Sequence, residues 1–253
     1  MAITYTFFDV VGIVGDAVGT AAEAYKGAPA CNLAVNKIWT AFPWRQSLGE
    51  LPPFYLIPGE QYYGAPTVSV PTDFLGLQRA YHVIRQATGD TPTVRELRCI
   101  SDIMTTDEAD YPKVIGYEGS TRSFKIGPKP LANFAAPWHL IEGEYKKVPT
   151  LYRKSTGAVV NKVTATYLDD IYLPFDDLYV YVMIEAVKWG YWVLNSDPRA
   201  GGVQVQNGAE SYFGQFGVMM AAVKQMAENE GIELGMAQAG PSTSFYEPYM
   251  AGW

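Results

Sequence analysis

The sequence predicts an α+β fold: a helical bundle from the N- and C-terminal segments, a β-rich middle insertion and an extended C-terminal tail. Three observations predict this fold. Apolar residues recur with helical periodicity near both ends of the 253-residue chain, and short runs of alternating apolar and polar residues fill the middle. Prolines occur among aromatic residues at the C-terminal end. The bundle is predicted from residues 1–50 and 175–232, the β-rich domain from 51–174 and the tail from 233–253.

The N-terminal region predicts two helices. Residues 9–26 are rich in Gly, Ala and Val, and each glycine lowers helix stability by about 1 kcal/mol relative to alanine, so the first helix is loosely specified. A phosphate-binding loop is the alternative, but the glycine spacing fits no dinucleotide or Walker pattern. A break at 27–29 precedes a second helix, which Pro43 ends, and Trp44 can then fold back on it. The apolar face of this second helix comprises Cys31, Val35, Ile38, Trp39 and Phe42.

The middle of the chain predicts strands, because prolines and glycines separate short runs in which apolar and polar residues alternate. A tight turn is expected at Pro58-Gly59. The predicted strands are Phe54–Ile57, Thr67–Val70, Arg79–Ile84, Arg95–Ile100, Arg122–Ile126, His139–Lys147 and Ala158–Thr166.

A third helix is predicted over residues 177–194, with Asp176 as its N-cap and Asp177 as an acid in its first turn. This segment has almost no polar face, and a helix that is apolar all round must be buried against something. We expect other copies of the chain to bury it. The candidate residues of this subunit interface are Tyr181, Ile184, Lys188, Trp189 and Trp192.

The chain after residue 194 predicts a break, an amphipathic helix and a docking tail. Pro198 and Gly201-Gly202 mark the break, and an apolar stripe of Tyr212, Phe213, Phe216, Met219, Met220, Val223 and Met226 follows. The tail contains two prolines, which keep it extended, yet a disordered tail is usually poor in aromatic residues. Its candidate partner-binding residues are Phe245, Tyr246, Tyr249 and Trp253.

Composition limits the classes of function. The net charge of −7 argues against a protein that grips nucleic acid, but not against one that DNA slides past. The 18 tyrosines suit either partly wet interfaces or an ordinary β-rich core. Cys31 and Cys99 are expected to be small buried hydrophobes in a reducing compartment. Neither a signal peptide nor a membrane span is evident, so a soluble protein is expected.

No pattern in the sequence indicates catalysis, a cofactor or a metal. His82 and His139 are the two histidines, and neither has further ligands at short spacing. Asp169-Asp170 could serve glycoside hydrolysis only if both carboxylates flanked one bond, whereas adjacent strand residues point to opposite faces. Turn and cap roles are the expected ones, and the chain is not expected to be an enzyme.

Glu142 and Glu144 share one face of the predicted strand 139–147. This pattern is typical of a solvated strand face. A pair of like charges at this spacing could also line a pore or meet a basic partner, so the two glutamates are candidate lumen residues.

Several short clusters occur in a recognisable order. Ile38, Trp39, Phe42 and Trp44 end a helix; Gly59-Glu60-Gln61-Tyr62-Tyr63 precedes Val70-Pro71-Thr72-Asp73-Phe74; Tyr111-Pro112, Gly127-Pro128-Lys129-Pro130 and Glu142-Gly143-Glu144-Tyr145 follow; and Asp197-Pro198-Arg199-Ala200 separates two helices before Tyr212. Over about residues 29–230 the chain resembles the head-to-tail adaptor proteins of tailed bacteriophages, including the tail tubular or gatekeeper proteins.

The resemblance implies a structural virion protein at the neck, assembled in the host cytoplasm. It implies a homo-oligomeric ring, commonly twelve-fold, that binds beneath the portal protein, contacts tail or neck proteins and lets double-stranded DNA pass without specific binding. Another neck or tail ring protein, such as a stopper or tail terminator, is an alternative. A carbohydrate-binding or carbohydrate-active protein is a further one, favoured only by the aromatic residues and strands.

Overall fold

The chain divides into two compact units, each with its own hydrophobic core. The computed structural model describes residues 3–18, 24–85, 91–105, 107–134, 137–206 and 209–232. The helical unit comprises the described residues up to Trp44 and from Pro149 onwards, and the sheet unit comprises those from Arg45 to Val148. The four tail residues proposed to bind a partner, Phe245, Tyr246, Tyr249 and Trp253, lie outside the described residues.

Seven strands of the sheet unit form one curled sheet. Their spatial order is β1-β7-β3-β4-β5-β6-β2, and only the short pairing of β4 with β5 is parallel. The strands are β1 Leu48–Tyr55, β2 Tyr62–Tyr63, β3 Phe74–Ile84, β4 Thr93–Cys99, β5 Val114–Glu118, β6 Ser123–Gly127 and β7 His139–Lys147.

This sheet makes the predicted fold class wrong. Over its described residues the chain is a mixed α/β fold dominated by the seven-stranded sheet together with four helices, not a helical bundle that carries a β-rich insertion. The helices were easier to recognise because their apolar periodicity is local, whereas a sheet forms only when strands far apart in sequence pair. β1 and β7 are neighbours, for example, although most of the sheet unit separates them along the chain.

Two local features shape the sheet. In β1, Pro52 and Pro53 lie at a register shift on an edge strand, where the missing N–H groups cost no pairing with a second neighbour. In β7, a Cβ atom at Gly143 would lie 2.3 Å from the carbonyl oxygen of Arg79, next to the irregularity in β3. Glycine therefore permits the close approach of β7 and β3 within the sheet.

Aromatic residues fill much of the sheet-unit core. Phe54 stacks on Phe124 with ring centroids 5.7 Å apart, and Phe74 stacks on Tyr145 at 5.4 Å. Such pairs add to the stabilisation that comes from burying their large apolar surfaces. The Tyr145 hydroxyl donates a hydrogen bond of 2.7 Å to Asp73 Oδ1, so the polar end of this buried ring also has a partner.

The helical unit packs its helices around one central helix. Its helices are α1 Phe7–Val18, α2 Ala24–Ala41, α3 Val180–Leu194 and α4 Gly214–Asn229. α3 contacts α1, α2 and α4. A Cβ atom at Gly190 would lie 2.6 Å from the carbonyl oxygen of Ala30, so this glycine allows α3 and α2 to pack closely. Two small hairpins complete the unit: β8 Leu151–Tyr152 with β9 Val159–Val160, and β10 Gly202–Gln206 with β11 Ala209–Phe213.

Some of the predicted local features agree with the structure and others do not. Asp176 is a cap, since its Oδ1 accepts the Leu178 N–H at 3.1 Å, but it caps the 3-10 turn Asp177–Tyr179, and α3 follows that turn without a side-chain cap. Trp44 folds back as predicted, and its Nε1 donates to the Ile38 carbonyl at 2.7 Å. Pro29 lies inside α2 rather than before it, and residues 67–70 form no strand. Tyr212 and Phe213 belong to β11 rather than to the last helix.

Candidate assembly surfaces

The predicted interface helix is buried mostly by its own unit. One side of α3 faces the other three helices and buries Val182, Met183, Ala186, Val187 and Trp189. Trp189 packs on Phe216 of α4, with ring centroids 5.7 Å apart. Its indole is therefore part of the subunit core. The apolar side of α3 is therefore buried without a neighbouring copy of the chain.

The other four candidate interface residues of α3 are half-buried: Tyr181, Ile184, Lys188 and Trp192. Lys188 Nζ forms an ion pair with Glu185 Oε1 at 2.8 Å, and Gln215 Nε2 of α4 donates to Glu185 Oε2 at 2.6 Å. The Arg199 guanidinium lies 3.7 Å from the Trp192 ring centroid. These side chains form a mixed polar and aromatic surface, the composition of an interface rim.

The turn that follows α3 is built around Asp197. Its Oδ1 accepts the Arg199 N–H at 2.8 Å, and its Oδ2 forms an ion pair with the Arg199 guanidinium at 2.7 Å. The hydrogen bonds from Arg199 lower the pKa of Asp197 to about 2. The Asp197-Pro198-Arg199-Ala200 cluster is therefore a structural turn that holds Arg199 over Trp192.

The two candidate lumen glutamates lie on β7 and have basic neighbours. Glu142 forms an ion pair of 3.2 Å with Arg85. Glu144 lies opposite Glu50 of β1 and Arg79 of β3 in the strand register. Both glutamates are half-buried. This part of the sheet thus carries charges of both signs rather than acid alone.

The two histidines meet although they are far apart in sequence. His82 Nε2 and His139 Nδ1 lie 3.1 Å apart, and Phe134 stacks on His139 with centroids 4.0 Å apart. His82 is fully buried, and its Nδ1 has no hydrogen-bond partner among the described residues. The only signal for this pair in the sequence is weak: each histidine lies in a predicted strand beside aromatic residues.

The surroundings keep the histidine pair uncharged. Burial lowers the pKa of His82 to about 4, with further contributions from His139 and from Arg95, which lies directly across the strand pair. Burial also lowers the pKa of His139. Within the described part of the chain, no group of three or more His, Cys, Asp or Glu side chains could hold a metal ion. Tyr111 and Phe134 pack against His82, whereas His139 is partly exposed.

Neither cysteine has the surroundings of a reactive thiolate. Both are free thiols. Burial raises the pKa of Cys31 far above its ordinary value, and burial raises the pKa of Cys99 to about 11. Because the thiolate is the nucleophile, both thiols are protonated and poorly reactive at neutral pH.

The helical unit contains an open cavity of about 490 Å³, here called the basic cleft. Arg153 and Lys162 line it, and its lining includes no carboxylate. The Arg153 guanidinium lies 3.8 Å from the Tyr167 ring centroid, so the ring orients this cation. The other lining residues are Val159, Val160, Asn161, Thr164 and Ile171.

The floor and wall of the basic cleft are apolar, and one of its polar groups has no hydrogen-bond partner among the described residues. Ile171 is buried beneath it, whereas Val159 is 63% exposed. The Thr164 hydroxyl is inaccessible to water and has no hydrogen-bond partner among the described residues. Asp170 lies near Arg153 and Lys154, and its carboxylate accepts hydrogen bonds from the backbone and hydroxyl of Ser155. The cleft thus combines apolar walls with two cations, of which Arg153 has the Asp170 carboxylate nearby.

Comparisons with known proteins add no assignment. No model of a known protein family matches the chain, and no curated protein resembles it significantly. No helix among the described residues is long and apolar enough to cross a membrane.

Proposed function

We propose that this chain is the subunit of a head-to-tail adaptor ring in a tailed bacteriophage. In this role it binds beneath the portal protein, joins the capsid to tail or neck proteins and forms part of the channel for the genome. The proposal follows from the resemblance over residues 29–230 and from the surface of the described chain.

One observation carries the proposal: large apolar side chains are exposed on separate elements of both units. Phe8 and Ile13 are exposed on α1, Val203 and Val205 on the β10–β11 hairpin, and Met104 on a loop of the sheet unit. A subunit of a closed ring contacts one neighbour through one surface and the other neighbour through a different one. It also needs surfaces for the proteins above and below. Apolar groups on several elements suit that requirement.

The residues that carry the resemblance support a structural role. Trp44 packs edge-on against Phe42 and Phe175, with centroid distances of 5.5 and 5.9 Å. Tyr63 accepts a hydrogen bond of 3.1 Å from the Ile57 N–H and donates one of 3.1 Å to the Glu60 carbonyl. These residues close cores and fix turns. We therefore propose no catalytic role for His82, His139, Asp169 or Asp170.

The proposed partners are further copies of the chain, the portal protein and tail or neck proteins. The half-buried side of α3 and the aromatic residues of the tail are the candidate contact surfaces. Double-stranded DNA passes through the ring without specific binding. The net charge of −7 supports this, because an acidic protein repels phosphates.

The size and shape of the assembly test the proposal. Sedimentation velocity and electron microscopy of the purified protein, alone and mixed with its portal, should reveal a closed ring seated on the portal. A monomer before docking agrees with the proposal, since a ring can assemble on its template. A folded monomer or dimer that never joins the portal contradicts it and favours the carbohydrate-binding alternative.

Deletion of residues 241–253 tests the tail separately. Attachment to the portal should weaken, while the melting temperature of the subunit stays nearly unchanged, because aromatic anchors contribute to binding rather than to the core. The full-length protein, measured in parallel, is the control. Unchanged attachment would remove the docking role from the tail, and unfolding of the truncated chain would place the tail in the subunit core.

A further inference from the structure

The basic cleft has the properties of a receptor for an apolar side chain flanked by acids. Its two lining cations, Arg153 and Lys162, form no ion pair among the described residues. The chain as a whole carries a net charge of −7, whereas the charged side chains that line this cleft are both basic. The apolar walls of the cleft are formed by Val159, Val160 and Ile171. Covering them with an apolar side chain is favourable in free energy, because it removes apolar surface from water.

A matching group protrudes from the sheet unit of the same chain. Met104 is 84% exposed, more than any other large apolar side chain of the described residues. Asp102 and Asp107 flank it in sequence and are themselves exposed, and Asp107 Oδ1 forms a surface ion pair of 3.0 Å with Lys129 Nζ. A methionine is unbranched and adaptable, so it suits a cavity of irregular shape.

The backbone around Met104 is held in place rather than free. Gln61, which is buried, donates from Nε2 to the Met104 carbonyl at 3.3 Å. The Thr105 hydroxyl lies 3.2 Å from the Tyr62 hydroxyl and accepts from Lys125 Nζ at 3.0 Å. Holding this backbone in a defined position reduces the entropy that is lost on binding.

We propose that Met104 of one copy inserts into the basic cleft of a second copy, with Asp102 and Asp107 facing Arg153 and Lys162. A cavity of about 490 Å³ accommodates a methionine side chain together with its flanking backbone. Because the protruding residue and the cleft belong to different units of the chain, the contact joins two different surfaces. Contacts of this heterologous kind generate a ring when the rotation between successive copies closes. The inference rests on the ring assembly proposed above and adds a defined contact to it.

Two variants, each lacking one half of the contact, test the proposal. Met104→Glu removes the apolar group and adds charge, whereas Lys162→Glu reverses a cation of the cleft. Either change should weaken self-association, alone or on the portal, at least about tenfold, as loss of a central contact does. Both positions are exposed, so the melting temperature should stay unchanged. Val94→Glu, at another exposed apolar residue of the sheet unit, is the control and should assemble like the unchanged chain.

Mixing the two variants gives the decisive measurement. The Lys162→Glu chain retains an intact Met104, and the Met104→Glu chain retains an intact cleft, so one contact can form between them. Sedimentation velocity of an equimolar mixture should reveal a complex of one copy of each, although each variant alone associates weakly. The unchanged chain is run in parallel, with the portal added if the chain self-associates only there. Absence of the mixed complex where the unchanged chain associates would overturn the proposed contact.

The outcomes separate this contact from the proposed function. Rings that assemble normally from both variants would eliminate the contact and leave the adaptor function standing. Self-association that both variants disrupt, without any ring or portal binding, would support the contact and contradict the adaptor function. If Lys162→Glu impairs only the retention of duplex DNA, the cleft is a phosphate site and the proposal is wrong. If it impairs only capture of a tail protein, that protein occupies the cleft and the proposal is likewise wrong.

Discussion

The cores of the two units differ in polarity. Among the described residues, the helical unit buries one polar side chain, Thr6, whereas the sheet unit buries Ser47, Gln61, His82, Ser123 and Lys146. The helical core therefore depends mainly on apolar packing. The sheet core depends in addition on the protonation and hydrogen bonding of the groups that it encloses, because a buried charge or unpaired polar group is costly. The two units should respond differently to mutation and to pH.

The largest expected effect comes from deleting a large side chain from the helical core. Trp39 is 1% exposed and packs near Phe175 with ring centroids 6.2 Å apart. Trp39→Ala should lower the free energy of unfolding by about 3–5 kcal/mol, since it removes apolar burial and leaves a cavity. Denaturant unfolding at pH 7.5 measures the loss. Tyr152→Ala, at an exposed position of the same unit, is the control and should change stability little. A comparably small loss for Trp39→Ala would contradict the apolar-packing account.

The second effect is a loss of stability of the sheet unit in mild acid. The pKa of His82 in the fold is about 4, compared with an ordinary value of 6.5, so the unfolded chain binds a proton first as the pH falls. The contribution of neutral His82 to the free energy of unfolding is therefore present in full above about pH 6.5 and is lost as the pH falls from 6.5 to 4. The total loss is about 3 kcal/mol. His139, whose pKa is also lowered, acts in the same direction.

Denaturant midpoints measured from pH 7.5 to 4.5 check this prediction. In the variant His82→Phe, which keeps a ring in the aromatic cluster, most of the pH dependence in this window should disappear. Hydrogen-bonded carboxylates of the helical unit, such as Asp170 and Asp197, have lowered pKa values. Their effect on the pH dependence of stability therefore lies at lower pH. An equal loss between pH 6.5 and 4.5 in both proteins would mean that the histidine pair does not control acid sensitivity.

The smallest effect compares two glycines within the helical unit. Gly190→Ala places a methyl group against the backbone of Ala30 and should cost about 1–3 kcal/mol through overpacking of α3 on α2. Gly12→Ala on α1 meets no atom within 4 Å and should instead stabilise the helix by up to about 1 kcal/mol. Thermal unfolding of the two variants gives the comparison. Effects of the same sign would show that close packing of α2 and α3 is not the reason for Gly190.

Local signals in the sequence determined several elements of this protein. The apolar spacing of residues 31–42 marks the buried face of α2, because one turn of helix returns each third or fourth residue to the same side. Asp176 acts as a cap because its side chain satisfies a backbone N–H nearby in sequence. Alternation and flanking turns likewise place the strand 139–147. Each of these features depends on neighbours within a few residues.

Other elements depended on residues that are distant in sequence. Val114–Glu118 forms a strand by pairing with β6 and, briefly, with β4, and its own residues gave little alternation to predict it. Tyr212 and Phe213 fit the apolar stripe of α4, yet they pair with β10, because the hairpin register competes with the helix. Pro29 is accommodated inside α2, although a proline removes a hydrogen bond from a helix.

The tertiary structure alone decided which surfaces remain available. The sequence established that α3 is apolar and must be buried, but only the packing of α1, α2 and α4 around it established that its own unit provides most of that burial. The same holds for the basic cleft, whose lining comes from turns and short strands that have no pattern in common. Periodicity specifies that a face is buried, whereas the identity of its partner is a property of pairing between distant segments, and no local sequence signal encodes it.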